Sequence, residues 1–319
     1  MLAGKPTGNR GASPHGTESN VDKATARCYN PVSRSFTGKE QGSRLTNQDL
    51  QRELDVAIHL ARAAGDTIMG YYQTGVAVDH KARREPVTAA DRAADDLISA
   101  GLRKAFPGDG LLTEESDDDL SRLEKERVWI VDPLDGTTEF INETGEFSVQ
   151  IALAWHGYPV LGVVYQPVKG LLFHAVQGQG AYEIYEGRTF RLQVSTENQM
   201  ARMCMVASRS HYSPLVERAR EALGIETVDR LGSVGLKVGL LARGKCDLYV
   251  ATTVVKEWDS CAPHALLVEA GGVLTTLAGE PLVYNKADVV ERRGLIGSNG
   301  LNHEQIVETL AVLLDDRDG

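Results

Sequence analysis

The chain has 319 residues, 42% hydrophobic and 24% charged, enough to bury an ordinary globular core in one large domain or two modest ones. Its 44 acidic and 34 basic residues leave a net charge of −10, which argues against a nucleic-acid partner. A phosphorylated ligand is not excluded, because bound divalent cations reverse the local field.

Residues 1–45 are rich in Gly, Ser, Thr and Pro, mildly basic and poor in large apolar side chains, so a disordered N-terminal extension is predicted. A targeting role, a non-conserved tail and a misplaced start codon all stay open for it. Thr46 or Asn47 can cap a first helix whose inner face is Leu50, Leu54, Ala57, Ala61, Ala64, Ile68 and Tyr72. Val76 to Val78 reads as a short strand. Thr88 precedes a second helix with Ala94, Leu97, Ile98 and Leu102 inward, and Thr88 with Asp91 has the form of a capping box. "GLLTEE" (110–115) and "RVWIVD" (127–132) read as buried strands ending in acids. From Phe147 to Leu192, β-branched and apolar runs separated by Gly and Pro predict an antiparallel meander. Strands at 204–207, 225–230, 246–251, 272–276 and 294–297 then alternate with helices at 214–223, 234–243, 259–270 and 302–314. This predicts a layered helix-and-sheet fold with two lobes, 46–195 and 196–319.

No run approaches the roughly 18 apolar residues of a membrane-spanning helix, and no apolar leader segment is visible. Cys28, Cys204, Cys246 and Cys261 lack a paired spacing, which fits a reducing cytosol better than a disulfide framework. Cys261 and His264 have i, i+3 spacing, but without further ligands core packing is the better reading.

The strongest chemical signal is "WIVDPLDGTTEF" (129–140). A buried strand runs out at Asp132, Pro133 is expected to stop it, and Asp135 follows on a tight turn. Two such carboxylates, with the Leu134 carbonyl between them, offer the oxygen-rich convergence that hard divalent cations need. The N–H groups of Gly136 and Thr137 would open a helix and suit a phosphate. An Asx turn with a helix cap explains the segment without a metal, and the spacing excludes an EF-hand. Glu114 and Glu115 end another apolar strand, and Asp259 beside Trp258 begins an apolar helix where an ordinary cap is also expected. Three acidic features at the ends of buried elements favour a shared acidic pocket.

The segments "DPLDGT" (132–137), "WDSCA" (258–262), "EE" (114–115) and "PVTAAD" (86–91), in this order, resemble the inositol monophosphatase superfamily of lithium-sensitive, magnesium-dependent phosphatases. The likeness covers residues 50 to 315. Leu134, "KEWD" (256–259), "SRSH" (208–211) and "GSVGLK" (232–237) resemble most closely its 3'(2'),5'-bisphosphate nucleotidases, which hydrolyse 3'-phosphoadenosine 5'-phosphate to AMP. The resemblance implies an αβαβα sandwich of the sugar-phosphatase type, a cytoplasmic place (with the inner face of the membrane as an alternative) and a small phosphorylated metabolite as partner. It is compatible with a homodimer. It implies two or three Mg²⁺ ions held by Glu114, Asp132, the Leu134 carbonyl, Asp135 and Asp259. It implies catalytic roles for Glu114, Asp91 and Thr137, with Thr137 oriented by Asp91 to activate water. Substrate contacts are implied for Gly136, Thr137, Ser208, His211, Ser233, Lys237 and Asp259. For Lys237 a solvated helix position is the competing reading. "ARREPVT" (82–88) departs from the family, where Ser or Asp usually precedes the Pro. An inositol or sugar phosphatase, and more remotely a catalytically silent metabolite-binding protein, are the alternatives.

Overall fold

The computed structural model describes Met1 and residues 50–73, 78–80 and 86–315. The predicted extension, the capping candidates Thr46 and Asn47, Val76 and residues 82–85 of the departing linker lie outside these. The first helix, α1 (Gln51–Tyr71), buries Leu54, Ala57, Ala61, Ala64 and Ile68, the face that the 3.6-residue period predicts. A short hairpin of β1 (Val78–His80) and β2 (Pro86–Thr88) leads into α2 (Ala89–Ala105), which packs beside α1.

A seven-stranded sheet follows: β3 (Gly110–Thr113), β4 (Arg127–Asp135), β5 (Ser148–Trp155), β6 (Tyr158–Gln166), β7 (Leu171–Val176), β8 (Gly180–Tyr185) and β9 (Arg188–Arg191), neighbours in that order. The β3–β4 pair is parallel and the others antiparallel. The one-turn helix α3 (Thr137–Ile141) lies between β4 and β5. Strand β9 was not legible as a separate element because all four of its residues are exposed and leave no apolar alternation.

The second sheet draws on β10 (Cys204–Ser208), β11 (Thr227–Leu231), β12 (Leu248–Ala251), β14 (Val273–Thr276) and β16 (Leu295–Ser298), in the order β11-β10-β12-β16-β14. Helices α4 (Pro214–Leu223), α5 (Val234–Ala242), α6 (Glu257–Glu269) and α7 (His303–Asp315) connect or follow these strands. The two-residue strands β13 (Val255–Lys256) and β15 (Val290–Glu291) pair with each other.

Three apolar clusters define the layering. Trp129, Val131, Val149, Ile151 and Leu161 pack with the α1 and α2 residues on one face of the large sheet. Val128, Ile130, Ala152, Val164 and Phe173, on its other face, pack with α5 and α6 and with Val206, Tyr249 and Leu274 of the small sheet. Met205, Ala207, Leu248 and Ile296, on the far face of the small sheet, pack with α4 and α7. The result is the αβαβα sandwich implied by the resemblance. Strand β4 is buried on both faces, which is why it reads as a continuous apolar run. At Gly162 an added Cβ would lie 2.5 Å from the Ala262 carbonyl oxygen, so glycine lets α6 lie directly on β6. Both sheets share the α5–α6 layer, and the described residues from 50 to 315 form one compact unit.

Candidate active site

Pro133 does not end β4. The pairing runs Asp132 with Gln150 and then Asp135 with Ser148, so three steps on β4 oppose two on β5. This is a one-residue bulge, placed where proline has no N–H to give to the ladder. Residues three apart on a regular strand point to opposite faces. The extra residue cancels that offset, and Asp132 and Asp135 come to share a face with Gln150 and Ser148. Beyond the bulge, Gly136 takes φ +101° and α3 begins; an added Cβ there would press on the Glu146 carbonyl oxygen at 3.1 Å. The Leu134 N–H donates to Asp132 Oδ1 at 3.0 Å.

Asp91 has two tasks, one for each oxygen. Its Oδ2 accepts from the backbone N–H and the hydroxyl of Thr88, at 2.8 and 2.6 Å, closing the capping box of α2. Its Oδ1 accepts from the Thr137 hydroxyl at 3.1 Å. Thr137 Oγ1 also lies 3.3 Å from the Leu134 carbonyl. The predicted cap and the implied partner of Thr137 are therefore the same side chain. Burial raises Asp91 above the usual carboxylate range, against the hydrogen bonds from Thr88 and Thr137.

Asp135 sits in a web of donors: Gln150 Nε2 and Ser233 Oγ at 2.5 Å and the Gly235 N–H at 3.0 Å, all onto Oδ2. Ser233 caps α5 by accepting from the Leu236 N–H at 3.1 Å, and its hydroxyl lies 2.9 Å from that of Ser148. It does this at φ +57°, a strained backbone for a residue with a Cβ. Lys237 is buried, not solvated: its Nζ donates to the Ser233 carbonyl at 2.7 Å. Burial lowers its pKa, opposed by Asp135, Glu139, Asp259 and Glu146. Ser233 and Lys237 are thus placed against Asp135 from the α5 side. Gln150 and Ser148 were missed from the sequence. Their signal was the alternation of polar and apolar residues in "FSVQI" on an otherwise apolar strand.

Asp259 is the third residue of α6, and its Oδ2 accepts from the Lys256 N–H at 2.7 Å, so the ordinary cap is present. It keeps part of its surface exposed, yet burial of the group, with Glu114 and Asp135 nearby, pushes it up to about 8. Burial also raises Asp132 well above its ordinary value, and the groups acting on it next are the carboxylates of Glu114, Asp135, Asp259 and Asp91. Burial also raises Asp135, with Lys237 opposing. The five acids therefore share one poorly solvated region. They do not close on a single point: among the described residues, the donors that gather within 4.8 Å of one another belong to Cys204, Asp229 and Cys246. Like charges repel, and Asp91, Asp132, Asp135 and Asp259 each turn an oxygen onto a local N–H donor. A same-sign, all-oxygen set of the half-buried Glu114 and Asp259 and the buried Asp132, Asp135 and Leu134 carbonyl fits hard divalent cations, whose charge such a set lacks.

The loop after β10 is tied to this region. Arg209 makes a two-pronged ion pair with Glu146 at 2.7 and 2.6 Å, Ser210 Oγ donates to Glu139 at 2.5 Å, and Ser208 Oγ accepts from the His211 N–H at 3.1 Å. His211 itself is exposed. Glu146 also accepts from the Gly232 N–H at 2.8 Å. At Gly232 an added Cβ would lie 2.3 Å from Glu139 Cγ and 2.5 Å from the Glu146 carbonyl oxygen. Gly232→Ala should cost about 1–3 kcal/mol of stability and push the neighbouring Ser233 off Asp135. Thermal melting and phosphate release measured together check this, with both expected to fall.

The acids gather at the bulge of a sandwiched sheet, beside a short helix and the Thr137–Asp91 pair. A model of the inositol monophosphatase family matches residues 49–313, and the chain belongs to that family. It is 40% identical over 234 residues to a 3'(2'),5'-bisphosphate nucleotidase, CysQ, of Escherichia coli O157:H7, covering 72% of this chain and 93% of that one. The solved CysQ of Bacteroides thetaiotaomicron superposes with a TM-score of 0.68 at 36% identity, covering 79% of this chain and 98% of that one. An IMPase of Thermotoga maritima gives a TM-score of 0.72 at 27% identity over 83% and 98% of the two chains. The protein is a phosphoric monoester hydrolase, and metal binding is a property of its family. Among the described residues no helix is long and apolar enough to cross a membrane.

Proposed function

We propose that this chain is a magnesium-dependent 3'(2'),5'-bisphosphate nucleotidase that hydrolyses 3'-phosphoadenosine 5'-phosphate to AMP and phosphate in the cytoplasm, clearing a by-product of sulfur metabolism. The observation that carries the reading is the set of like-charged carboxylates around the buried Asp132, with Asp91 among them bonded to Thr137. The substrate choice rests on the likeness to CysQ. Glu114, Asp132, the Leu134 carbonyl, Asp135 and Asp259 would hold two or three Mg²⁺ ions. Bound there, the ions supply charge neutralisation of the phosphate and a nucleophilic water at neutral pH.

The chain's own groups do the rest. The Gly136 and Thr137 N–H groups receive a phosphate oxygen. The Thr137 hydroxyl, bonded to Asp91, aligns water for attack, and Asp91 holds that hydroxyl in place. The bond formed joins the water oxygen to phosphorus, the 3' ester bond breaks, and the leaving oxygen is protonated. Ser208 and His211 meet the nucleotide from the loop after β10. Thr137→Val keeps the size of the side chain and removes the relay. It should lower kcat about 10²–10³-fold with little change in melting temperature, and a kcat within threefold of the parent would reject the role.

Release of phosphate from 3'-phosphoadenosine 5'-phosphate, inositol 1-phosphate and fructose 1,6-bisphosphate, with and without Mg²⁺ and Li⁺, tests the proposal. Preference for the inositol ester would reject it in favour of the reading that the Thermotoga IMPase supports. Release from none of them would favour a silent binding protein. Lys237→Ala separates two roles. A loss confined to the bisphosphate assigns Lys237 to the second phosphate. Equal losses on all esters assign it to countercharge for Asp135, which its buried bond to the Ser233 carbonyl favours.

A further inference from the structure

The cysteines that showed no paired spacing in the sequence are brought together by the small sheet. Cys204 opens β10, and Cys246 lies two residues before β12, the strand beside it. Their Sγ atoms are 2.9 Å apart, and Cys246 Sγ is 3.7 Å from Asp229 Oδ2 on the edge strand β11. One ligand atom from each of the three residues lies within 4.8 Å of the other two. No disulfide joins the thiols. The backbone holds the group firmly: the Asp247 N–H donates to the Cys204 carbonyl at 2.8 Å, and the Cys204 N–H donates to Asp247 Oδ2 at 2.7 Å. Cys246 is buried, Cys204 half-buried and Asp229 exposed, so the cluster has a wall and a mouth.

We propose that Cys204, Cys246 and Asp229 form a second cation site, for a soft divalent ion of the zinc and cadmium class, chemically distinct from the oxygen-only acidic pocket. Two thiolate sulfurs and one carboxylate select soft ions over magnesium. A tetrahedral ion with metal–sulfur bonds of about 2.3 Å sets sulfurs roughly 3.8 Å apart and sulfur and oxygen about 3.5 Å apart. The second spacing is nearly met, and the first needs the thiols to part by less than about 1 Å through side-chain rotation. Binding releases the two thiol protons to solvent, and water completes the fourth position. Cys204 and Ser208 lie at opposite ends of β10, so the site is about 13 Å along that strand from the loop that approaches the acidic pocket. It would tie β10, β11 and the start of β12 together.

The test uses the full chain with Cys28→Ser, kept reduced, stripped of metal and held in excess Mg²⁺ while Cd²⁺ is added. The ultraviolet thiolate-to-cadmium charge-transfer band should rise and saturate at one equivalent. It should be lost in Cys204→Ser and Cys246→Ser. The exposed Asp229→Asn, which leaves the core untouched, should bind at least tenfold more weakly. Circular dichroism of each variant confirms folding. No saturating band at one equivalent overturns the proposal, and so does a band unchanged in the cysteine variants. A thiol pair that oxidises to a disulfide and, once reduced again, gives no band overturns it too.

Discussion

Asp135→Asn abolishes phosphate release while the chain stays folded. The carboxamide keeps the size of the side chain, and its oxygen can still accept from Ser233 and Gly235, the donors that hold Asp135 against α5. What is lost is one negative charge among the proposed ligands. A cation stabilises the transferring phosphoryl group by several kcal/mol, so weakening its site should cost about a thousandfold in kcat/KM. Stability should move the other way. Asp135 is buried, and burial raises its pKa even against the attraction of Lys237 and the donors around it. Removing its charge should leave the metal-free melting temperature unchanged or higher. Near-normal turnover by a folded Asp135→Asn chain would refute its metal role. Lost turnover with a collapsed melting temperature would mean that Asp135 serves the fold rather than the chemistry.

The second large effect is on stability, and it depends on pH. Asp259 is pushed up to about 8 from an ordinary value of 3.8, and Asp132 is raised as well. An acid raised in the folded state holds its proton there at pH values where the unfolded chain has released it. The folded chain then binds more protons than the unfolded one, so stability falls as pH rises between about 4 and 8. The partial exposure of Asp259 moderates the slope. Magnesium takes the place of the protons and should reverse the trend. At a concentration of one hundred times Kd each occupied site contributes about 2.7 kcal/mol, roughly 5 °C in a domain of this size. Melting curves at pH 5 and pH 8, with and without Mg²⁺, check this: the metal-free chain should melt lower at pH 8, and the gain from Mg²⁺ should be larger there. Asp259→Asn should flatten both trends. A melting temperature indifferent to Mg²⁺ at pH 8 would count against cation binding in the pocket.

Much of this was legible in the sequence because periodicity reports burial directly. The α1 face, the meander and the alternation after residue 204 follow from apolar spacing, and the order of layers from their sum. The capping box of α2 was legible too, but its second oxygen was not, since Asp91 meets Thr137 across 46 residues. Three things were hidden for physical reasons. Pro133 normally terminates a strand, and only the register with β5 shows that it makes a bulge instead. Lys237 reads as either a phosphate contact or a solvated helix position, although "VGLKVGLLA" is apolar on every side and already argues for burial. The thiol pair of Cys204 and Cys246 depends on two strands lying side by side, which spacing in the chain does not encode.

Crystals grown with Mn²⁺, an oxygen-seeking stand-in for magnesium with a measurable anomalous signal, put the central claim to its most direct test. Anomalous peaks should fall among the carboxylates of Glu114, Asp132, Asp135 and Asp259, with the Leu134 carbonyl within bonding distance of one ion. Full-occupancy manganese elsewhere, with Asp132, Asp135 and Asp259 still turned to their own backbone donors, would contradict it.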